Sequence, residues 1–284
     1  MRITKKVFIY IFLIILAVIF LIPIYGIFMN SFKSLKDLSQ NQWGLPSEWK
    51  FENYKNVWTS GGDSSSKIEM IGMKNYLENS LKITIPTIII QIFLSFLLAF
   101  SLSRFKLKFN NFLLTIIIFS IAVPYEIMLI PIFKMINALK LYDTIYGLIF
   151  IYVGFGIPFV TFFIRNYMIQ IPMEIQEAAV IDGAGFYQIL FRIMFPLCLP
   201  AIGAMVVIQF TSTFNEFLYA LILTSSHSSS PITVGVAKLS KSVFATQWHY
   251  QAVASIIMTL PTILIFIAFQ RFFIKGLTSG SIKG

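Results

Sequence analysis

The stretch ITIPTIIIQIFLSFLLAFSLS, residues 83–103, contains no charged side chain. A helix needs about 20 predominantly apolar residues to cross the hydrocarbon core of a bilayer, and this stretch is long enough. Inside lipid, a backbone can satisfy its hydrogen bonds only as a helix or within a closed barrel. The short alternating segments that are typical of barrel strands are absent from the sequence. The stretch therefore predicts a membrane-spanning helix and an all-α fold around it.

The composition of the whole chain supports the same interpretation. Hydrophobic residues make up 57% of the 284 residues and charged residues 12%, whereas soluble domains average about 25% charged residues. The mean hydropathy is +0.80. These values exclude a soluble enzyme with a single anchor and predict an integral membrane protein.

Charge, cysteine and histidine content further limit the partners and the kinds of site that this membrane protein is expected to have. The formal net charge is +10, which fits basic residues that flank spans and meet anionic lipid. No basic cluster is interleaved with aromatic residues, so nucleic acid is not an expected partner. Cys198 is the only cysteine and is expected to be buried without a disulfide. Two histidines without a His/Cys cluster give no indication of a metal site.

The hydropathy pattern predicts six spans within a single transmembrane domain that covers residues 1–284. The third predicted span contains Pro124 and Glu126, and the fifth contains Asn215 and Glu216. The basic N-terminus resembles a signal peptide, but its uncharged run is longer than a signal h-region of about 7–15 residues, which indicates a retained span. The six spans are 7–29, 83–103, 112–133, 144–164, 197–223 and 251–270.

Six spans place both termini on one side of the membrane. Lysines far from span ends count little towards orientation, and five arginines fall on the side of the N-terminus: Arg2, Arg104, Arg165, Arg192 and Arg271. We therefore predict cytoplasmic termini, an extracellular segment at 30–82, a cytoplasmic loop at 165–196 and a cytoplasmic tail at 271–284. The sequence WGLPSEW, residues 43–49, either anchors the extracellular segment at the membrane interface or contacts an extracellular partner.

The predicted cytoplasmic loop contains EAAVIDGAG, residues 177–185. Pro172 suits the start of a helix, and Gly183 suits a left-handed helix end. Ala179 and Gly183 are four residues apart, which predicts a small-residue face that another surface can approach closely. The acidic residues around it disfavour a helix lying on anionic lipid, so docking to a soluble protein is favoured over that alternative.

The same residues resemble the EAA loop of binding-protein-dependent ABC importer permeases of the maltose-type (MalG-like) carbohydrate family. In this chain Phe195 stands where that family's motif ends in Leu before the proline. The resemblance extends over nearly the whole chain and includes Asn215-Glu216-Phe217. Further matching stretches are NSFKS (30–34), LPSEWKFENY (45–54) and QRFFIKGLTSGSIKG (270–284).

The resemblance implies a MetI-like permease architecture in a prokaryotic plasma membrane. It implies two ATP-binding subunits, a second homologous permease subunit, an extracellular solute-binding protein and surrounding membrane lipid as partners. The chain has no G-x-x-x-x-G-K-[ST] motif, so ATP and Mg²⁺ are expected on the partner subunits and this chain is expected not to be an enzyme. The predicted coupling residues are Glu177, Ala178, Ala179, Asp182, Gly183 and Ala184.

Polar and aromatic residues in two predicted spans suggest the substrate path, since carboxylates and amides bind sugar hydroxyls and aromatic faces pack against sugar rings. The candidates are Tyr125, Glu126, Thr211, Asn215, Glu216 and Tyr219. The alternatives are that the two acids reach the outer interface and that the hydroxyl residues join helices.

These features favour import of a neutral sugar or oligosaccharide by alternating access, because basic residues are scarce in the spans. An acidic oligosaccharide or a glycerol phosphodiester remains an alternative substrate. A stand-alone secondary transporter is a weaker alternative, because the sequence shows no internal repeat.

Overall fold

The computed structural model describes residues 2–60, 72–105, 108–241 and 248–278. All regular elements within these ranges are helices. In chain order they are α1 (Arg2–Ser31), α2 (Leu35–Gln40), α3 (Glu52–Ser60), α4 (Met73–Arg104), α5 (Asn110–Ala122), α6 (Leu129–Ala138), α7 (Ile145–Met168), α8 (Met173–Ile181), α9 (Phe186–Gln188), α10 (Phe195–Phe214), α11 (Leu218–Leu223), α12 (Ile232–Lys241) and α13 (Trp248–Thr278). The predicted all-α fold is confirmed.

Five described helical stretches are long and apolar enough to span a membrane: Lys6–Ser31, Met73–Arg104, Ile145–Met168, Phe186–Phe214 and Trp248–Ile274. A sixth span results if α5 and the helical segment Tyr125–Ala138, which together form a bent pair, count as one. Three predicted spans, 7–29, 83–103 and 251–270, lie inside longer helices, most clearly in α4, which begins ten residues before residue 83. The predicted tail beyond residue 278 lies outside the described residues.

The predicted third span, 112–133, is not one helix. α5 ends at Ala122, and the axis turns by 89° before the 3-10 turn Tyr125–Met128 and α6. Pro124 explains the break, because proline lacks an N–H and keeps the preceding residue out of the helical region. Val123 accordingly has an extended backbone with ψ 122°.

The fifth predicted span is also interrupted, and it begins earlier than expected. α9 continues through the π-helical segment Ile189–Met194 into α10, so the helix begins at Phe186, within the predicted loop 165–196, and runs to Phe214. The chain then leaves the helix at residues 215–217 and resumes as α11. Asn215 and Glu216 therefore lie in a helix break and not inside a continuous span.

The described chain forms two compact units. The first comprises residues 1–77 and 234–260, and the second comprises 78–233 and 261–284. In the first unit, the ring of Phe32 lies 5.1 Å from that of Tyr54 and 5.2 Å from that of Trp49. Beside it, the buried Lys33 donates from Nζ to the carbonyl oxygens of Asn41 and Gln42 at 2.7 and 3.2 Å. These contacts fold the segment after α1 into an ordered structure.

The second unit contains the hydrophobic core that joins α4, α7, α8 and α10. Its fully buried side chains include Phe96, Val160, Ile164, Met168, Met194 and Cys198. Cys198 is a free thiol within this core, as the sequence predicts. Because α8 contributes Ala179 to the same cluster, the segment that carries the EAA sequence is packed against three other helices.

Candidate functional site

The EAA sequence forms a short helix with a tightly closed end. Residues 172–185, here called the elbow, contain α8 and the turn that follows it. Gly183 has φ +80°, the left-handed conformation that the sequence predicts. The N–H of Ala184 donates to Ala179 O at 2.9 Å and that of Gly183 to Val180 O at 3.0 Å. This pair of bonds is the Schellman motif, which satisfies carbonyls at a helix end.

The elbow presents different residues on its two faces. Glu177, Ala178, Asp182 and Gly183 are exposed, and Ala184 is half-buried. Ala179 is 8% exposed and packs into the core of this chain. The expectation that Ala179 and Gly183 share an outward face is therefore wrong. That expectation required a continuous helix, and the left-handed turn takes Gly183 off the face of α8.

Exposed apolar side chains beside the small residues were missed by the sequence interpretation. Ile181 is 85% exposed, Val180 57% and Tyr187 73%. The sequence signal for these exposed side chains was the apolar pair Val180-Ile181 just before the glycine turn. Ala179 packs into the core, so this pair lies on the outer side of α8. Together with the acids, these side chains give the elbow an outer surface of mixed apolar and negative character.

The second candidate site is a cavity of about 580 Å³ in the same compact unit. Helices α4, α7 and α10 and the break after Phe214 provide its walls. Its aromatic lining consists of Tyr125, Tyr152, Phe155, Phe159 and Phe217, and its polar lining consists of Gln91, Gln209, Ser212, Thr213, Asn215 and Glu216. Residues of these types can hydrogen-bond hydroxyl groups and pack against an apolar ring face. The described lining contains no lysine or arginine.

Three of the six predicted substrate-path residues line this cavity: Tyr125, Asn215 and Glu216. Tyr219 is 1% exposed, and its hydroxyl donates to Tyr125 O at 2.6 Å, so it supports the wall. Glu126 and Thr211 are exposed but are not part of the lining. Although Asn215 and Tyr219 are four residues apart, they do not share a helical face, because the helix is interrupted between them.

The carboxylate of Glu216 is already engaged within the protein. It accepts hydrogen bonds from the hydroxyl of Tyr152 at 2.5 Å, the N–H of Tyr219 at 2.9 Å and the N–H of Ala220 at 3.2 Å. The two backbone donors are among the first of α11, which lack helical partners. A carboxylate has about four acceptor positions, so Glu216 chiefly holds the helix break in place and keeps little capacity for a ligand.

Two buried glutamines that join three helices were missed. Gln91 on α4 donates to Tyr152 O on α7 at 2.6 Å, and Gln209 on α10 donates to Gln91 Oε1 at 3.2 Å. Gly156 leaves room for both amides, since a Cβ there would lie 2.0 Å from Gln91 Nε2 and 2.4 Å from Gln209 Nε2. The signal in the sequence was an amide in each of two apolar runs.

A further polar cluster fixes two loops of the same unit. Asp143, with φ 57°, accepts from the N–H of Ser225 at 2.8 Å and of Ser226 at 3.0 Å, and also from the hydroxyl of Ser229. Burial opposes ionisation of this carboxyl, but the hydrogen bonds outweigh it and hold the pKa of Asp143 well below its usual range. The cluster pins the loop before α7 to the serine-rich loop after α11.

Comparison with known proteins identifies the family. A family described as "Binding-protein-dependent transport system inner membrane component" matches residues 81–279. The probable ABC transporter permease protein YurM of Bacillus subtilis (strain 168) is 30% identical over 279 residues, which cover 98% of this chain and 88% of that protein. The arabinooligosaccharides transport system permease protein AraQ of the same organism is 30% identical and covers 96% of this chain and 94% of that protein.

Two further similarities concern a named substrate and the fold. The diacetylchitobiose uptake system permease protein NgcG of Streptomyces coelicolor is 28% identical over 95% of this chain and 87% of that protein. A chain in the crystal structure of a bacterial ABC transporter that imports the acidic polysaccharide alginate has a TM-score of 0.78 at 24% identity. The match covers 95% of this chain and 96% of that chain. The last similarity shows the permease fold, and the family resemblance seen in the EAA sequence is confirmed. The chain belongs to the family of binding-protein-dependent transport system inner membrane components.

Proposed function

We propose that this chain is the permease subunit of an ATP-driven importer of a sugar or oligosaccharide, and that the elbow couples it to ATP hydrolysis. The observation that carries the proposal is the elbow itself, a helix closed by a left-handed glycine, packed on one face and exposed on the other. In this topology both termini and the elbow face the cytoplasm, and the Asp143 cluster faces outward.

The construction of the elbow favours transmission of movement as a rigid body. Its exposed face offers Glu177, Ala178, Asp182 and Ile181 to two ATP-binding subunits, which hold ATP and Mg²⁺. Its inner face is anchored through Ala179. Movement of the bound subunits therefore displaces the helices packed on the elbow and drives alternation between inward- and outward-facing states. A second permease subunit and an extracellular solute-binding protein complete the proposed complex.

The cavity supports a neutral saccharide as the substrate. It combines aromatic faces with amides and hydroxyls, and its described lining has one carboxylate and no basic side chain. Relatives named for diacetylchitobiose and arabinooligosaccharides agree with this assignment. The alginate importer of similar fold makes an acidic oligosaccharide the second candidate, although a negatively charged chain usually requires basic groups.

Cysteine crosslinking tests the coupling part of the proposal. In a Cys198→Ala background, Ala178→Cys is expected to crosslink to an ATP-binding subunit, because residue 178 is exposed on the elbow. Ala179→Cys is the matched control, and it should crosslink about tenfold less because residue 179 is buried. The measurement is the crosslinked fraction in membranes that retain ATP-dependent uptake. Uptake without any crosslink at residue 178 would refute the proposed docking face.

Calorimetry on the solute-binding protein of the same complex tests the substrate class. Neutral diacetylchitobiose and arabino-oligosaccharides are expected to bind at least about tenfold more tightly than an alginate oligosaccharide or a glycerol phosphodiester, a difference of about 1.4 kcal/mol. Uptake of the preferred sugar by reconstituted complexes should then weaken for Asn215→Ala, which changes the cavity lining. Tighter binding of the alginate oligosaccharide would establish the second candidate instead.

A further inference from the structure

The last residue of α4 is hydrogen-bonded to the entrance of the elbow. Arg104 Nη2 donates to Met168 O at 2.9 Å and to Ile171 O at 3.0 Å, and Nη1 lies 3.4 Å from Met173 Sδ. Met168 ends α7, and Met173 begins α8. Ile171 lies in the bend between α7 and α8, and Met168 O also accepts from the N–H of Ile171 at 3.1 Å. One guanidinium nitrogen thus donates both to a carbonyl at the end of α7 and to a carbonyl in the bend. Arg104 thus joins α4 to the bend between α7 and α8.

The same end of α4 also contacts the exit of the elbow. Phe186 is the first residue of the helix that follows the elbow. The ring of Phe100 on α4 lies 5.8 Å from the ring of Phe186, and the ring of Phe105 lies 6.3 Å from it. Edge-to-face and tilted ring pairs at such distances are favourable contacts. The two ends of the elbow are therefore held by one helix end, through a polar contact and an aromatic one.

The other part of α4 reaches the cavity. Gln91 lines the cavity and binds both α7 and α10. It precedes Arg104 by thirteen residues, about 20 Å along a helix axis. The sequence between them contains no proline or glycine, so the helix has no intrinsic bending point there. α4 is thus a continuous helix between the elbow and the cavity wall.

We propose that α4 carries the movement of the elbow to the cavity, and that Arg104 is the positioning residue that makes the two move together. The inference rests on the proposed function, because it presupposes that the elbow is displaced by ATP-binding subunits. Without the guanidinium, the elbow retains its outer surface and its bound ATPase, but its entrance is no longer tied to α4. ATP hydrolysis then continues while the elbow shifts relative to the helix.

Spin-label distances in the full complex test this inference without knowledge of the substrate. Labels are placed at Phe93→Cys on α4 and Glu174→Cys on α8, both exposed positions, in a Cys198→Ala background. The probe is ATP with orthovanadate. With Arg104 present, the interlabel distance is expected to be unchanged between the nucleotide-free and trapped states. With Arg104→Met, it should shift or broaden by about 2 Å or more, the scale of helix shifts at packed interfaces.

Two controls make the test decisive. Lys108→Met removes an exposed positive charge four residues further along the chain and should behave as the parent protein. Arg104→Lys keeps the charge and one nitrogen that can donate to both carbonyls, but its side chain is shorter and lacks the second nitrogen that lies beside Met173. It should therefore give an intermediate change, and it decides the question if Arg104→Met fails to assemble. Distances in the Arg104 variants that match those of the parent protein would overturn the inference.

Failure of the proposed function gives a different result. In that case the Ala178→Cys variant does not crosslink to an ATPase subunit, whether residue 104 is arginine or a replacement. If the crosslink and ATP hydrolysis persist in Arg104→Met, with the ATPase rate within about threefold of the parent, a changed label distance isolates the role of Arg104 from assembly.

Discussion

Replacement of Gly156 with alanine is expected to destabilise the protein by about 2–4 kcal/mol, because it breaks the glutamine contacts between α4, α7 and α10. The new Cβ would lie 2.0 Å from Gln91 Nε2 and 2.4 Å from Gln209 Nε2. Both amides lie at the ends of flexible side chains. However, Gln91 is only 1% exposed and Gln209 only 6%, and the two are hydrogen-bonded to each other. Any displacement leaves a buried amide without its partner, which costs about 1–3 kcal/mol for each group.

Gly154→Ala is the matched control for this prediction. It lies two residues earlier in α7, and within the described part of the chain nothing beyond its own turn of helix lies within 4 Å of the position its Cβ would take. The apparent melting temperature of the detergent-purified complex should fall by about 5–10 °C for Gly156→Ala and stay near the parent value for Gly154→Ala. Uptake should fall with Gly156→Ala because the same residues line the cavity.

A double-variant cycle identifies the cause of the Gly156 effect. Gln91→Ala removes the nearer of the two amides that the new methyl group would strike, together with the hydrogen bond that holds Gln209 in place. Gln91→Ala combined with Gly156→Ala should therefore lose less stability than the sum of the two single losses, whereas independent sites would give additive losses. Equal melting temperatures for Gly154→Ala and Gly156→Ala, or strict additivity with Gln91→Ala, would contradict the glutamine contacts described here.

Replacement of Gly183 with leucine is expected to reduce ATP-dependent uptake by about tenfold or more. The larger side chain would displace the contact between the elbow and a docked ATP-binding subunit, and small displacements of this kind can cause losses of that size. Two effects contribute, and a variant series separates them. The left-handed backbone at φ +80° costs about 1–2 kcal/mol for any other residue, so alanine reports the strain alone. Among the described residues, no atom outside Gly183 and its two chain neighbours lies within 4 Å of a Cβ at this position. A larger loss with leucine than with alanine therefore reports contact with a docked subunit.

Gly185 provides the control for the Gly183 series. It is also exposed and has open space around its Cβ position, but its φ is −74°, which any residue adopts. Gly185→Ala should leave uptake and ATP hydrolysis unchanged. In Gly183→Leu, basal ATP hydrolysis by the membranes should persist while uptake is lost. Equal uptake by the alanine and leucine variants at residue 183 would remove the evidence for a close docking surface.

The elbow could be predicted well because its signals are local. Pro172 before the helix and Gly183 after it determine backbone conformations within a few residues, and the structure has both features where the sequence places them. The orientation of Ala179 could not be predicted, because it depends on which side of α8 meets the core. That side is set by α4, α7 and α10, whose positions are not encoded in the nine residues of the motif.

The cavity was predicted only in part, for a related reason. Asn215 and Glu216 are conspicuous in an apolar run, but the break after Phe214 depends on the hydrogen bonds that Glu216 accepts from α11 and from Tyr152. Gln91 and Gln209 are 118 residues apart in the chain. Hydrophobicity identifies such helices as spans but does not reveal which of their faces meet, so the glutamine pair was not predictable.

The hydrogen bonds to Asp143 determine how the serine-rich loop responds to external pH. A carboxyl whose pKa is lowered on folding stabilises the protein fully above its unfolded-state value of about 3.9 and loses that contribution as the pH falls through the folded value. In the proposed topology this cluster faces the medium. The anchoring of the serine-rich loop is therefore expected to persist in an external medium from neutral pH down to about pH 4.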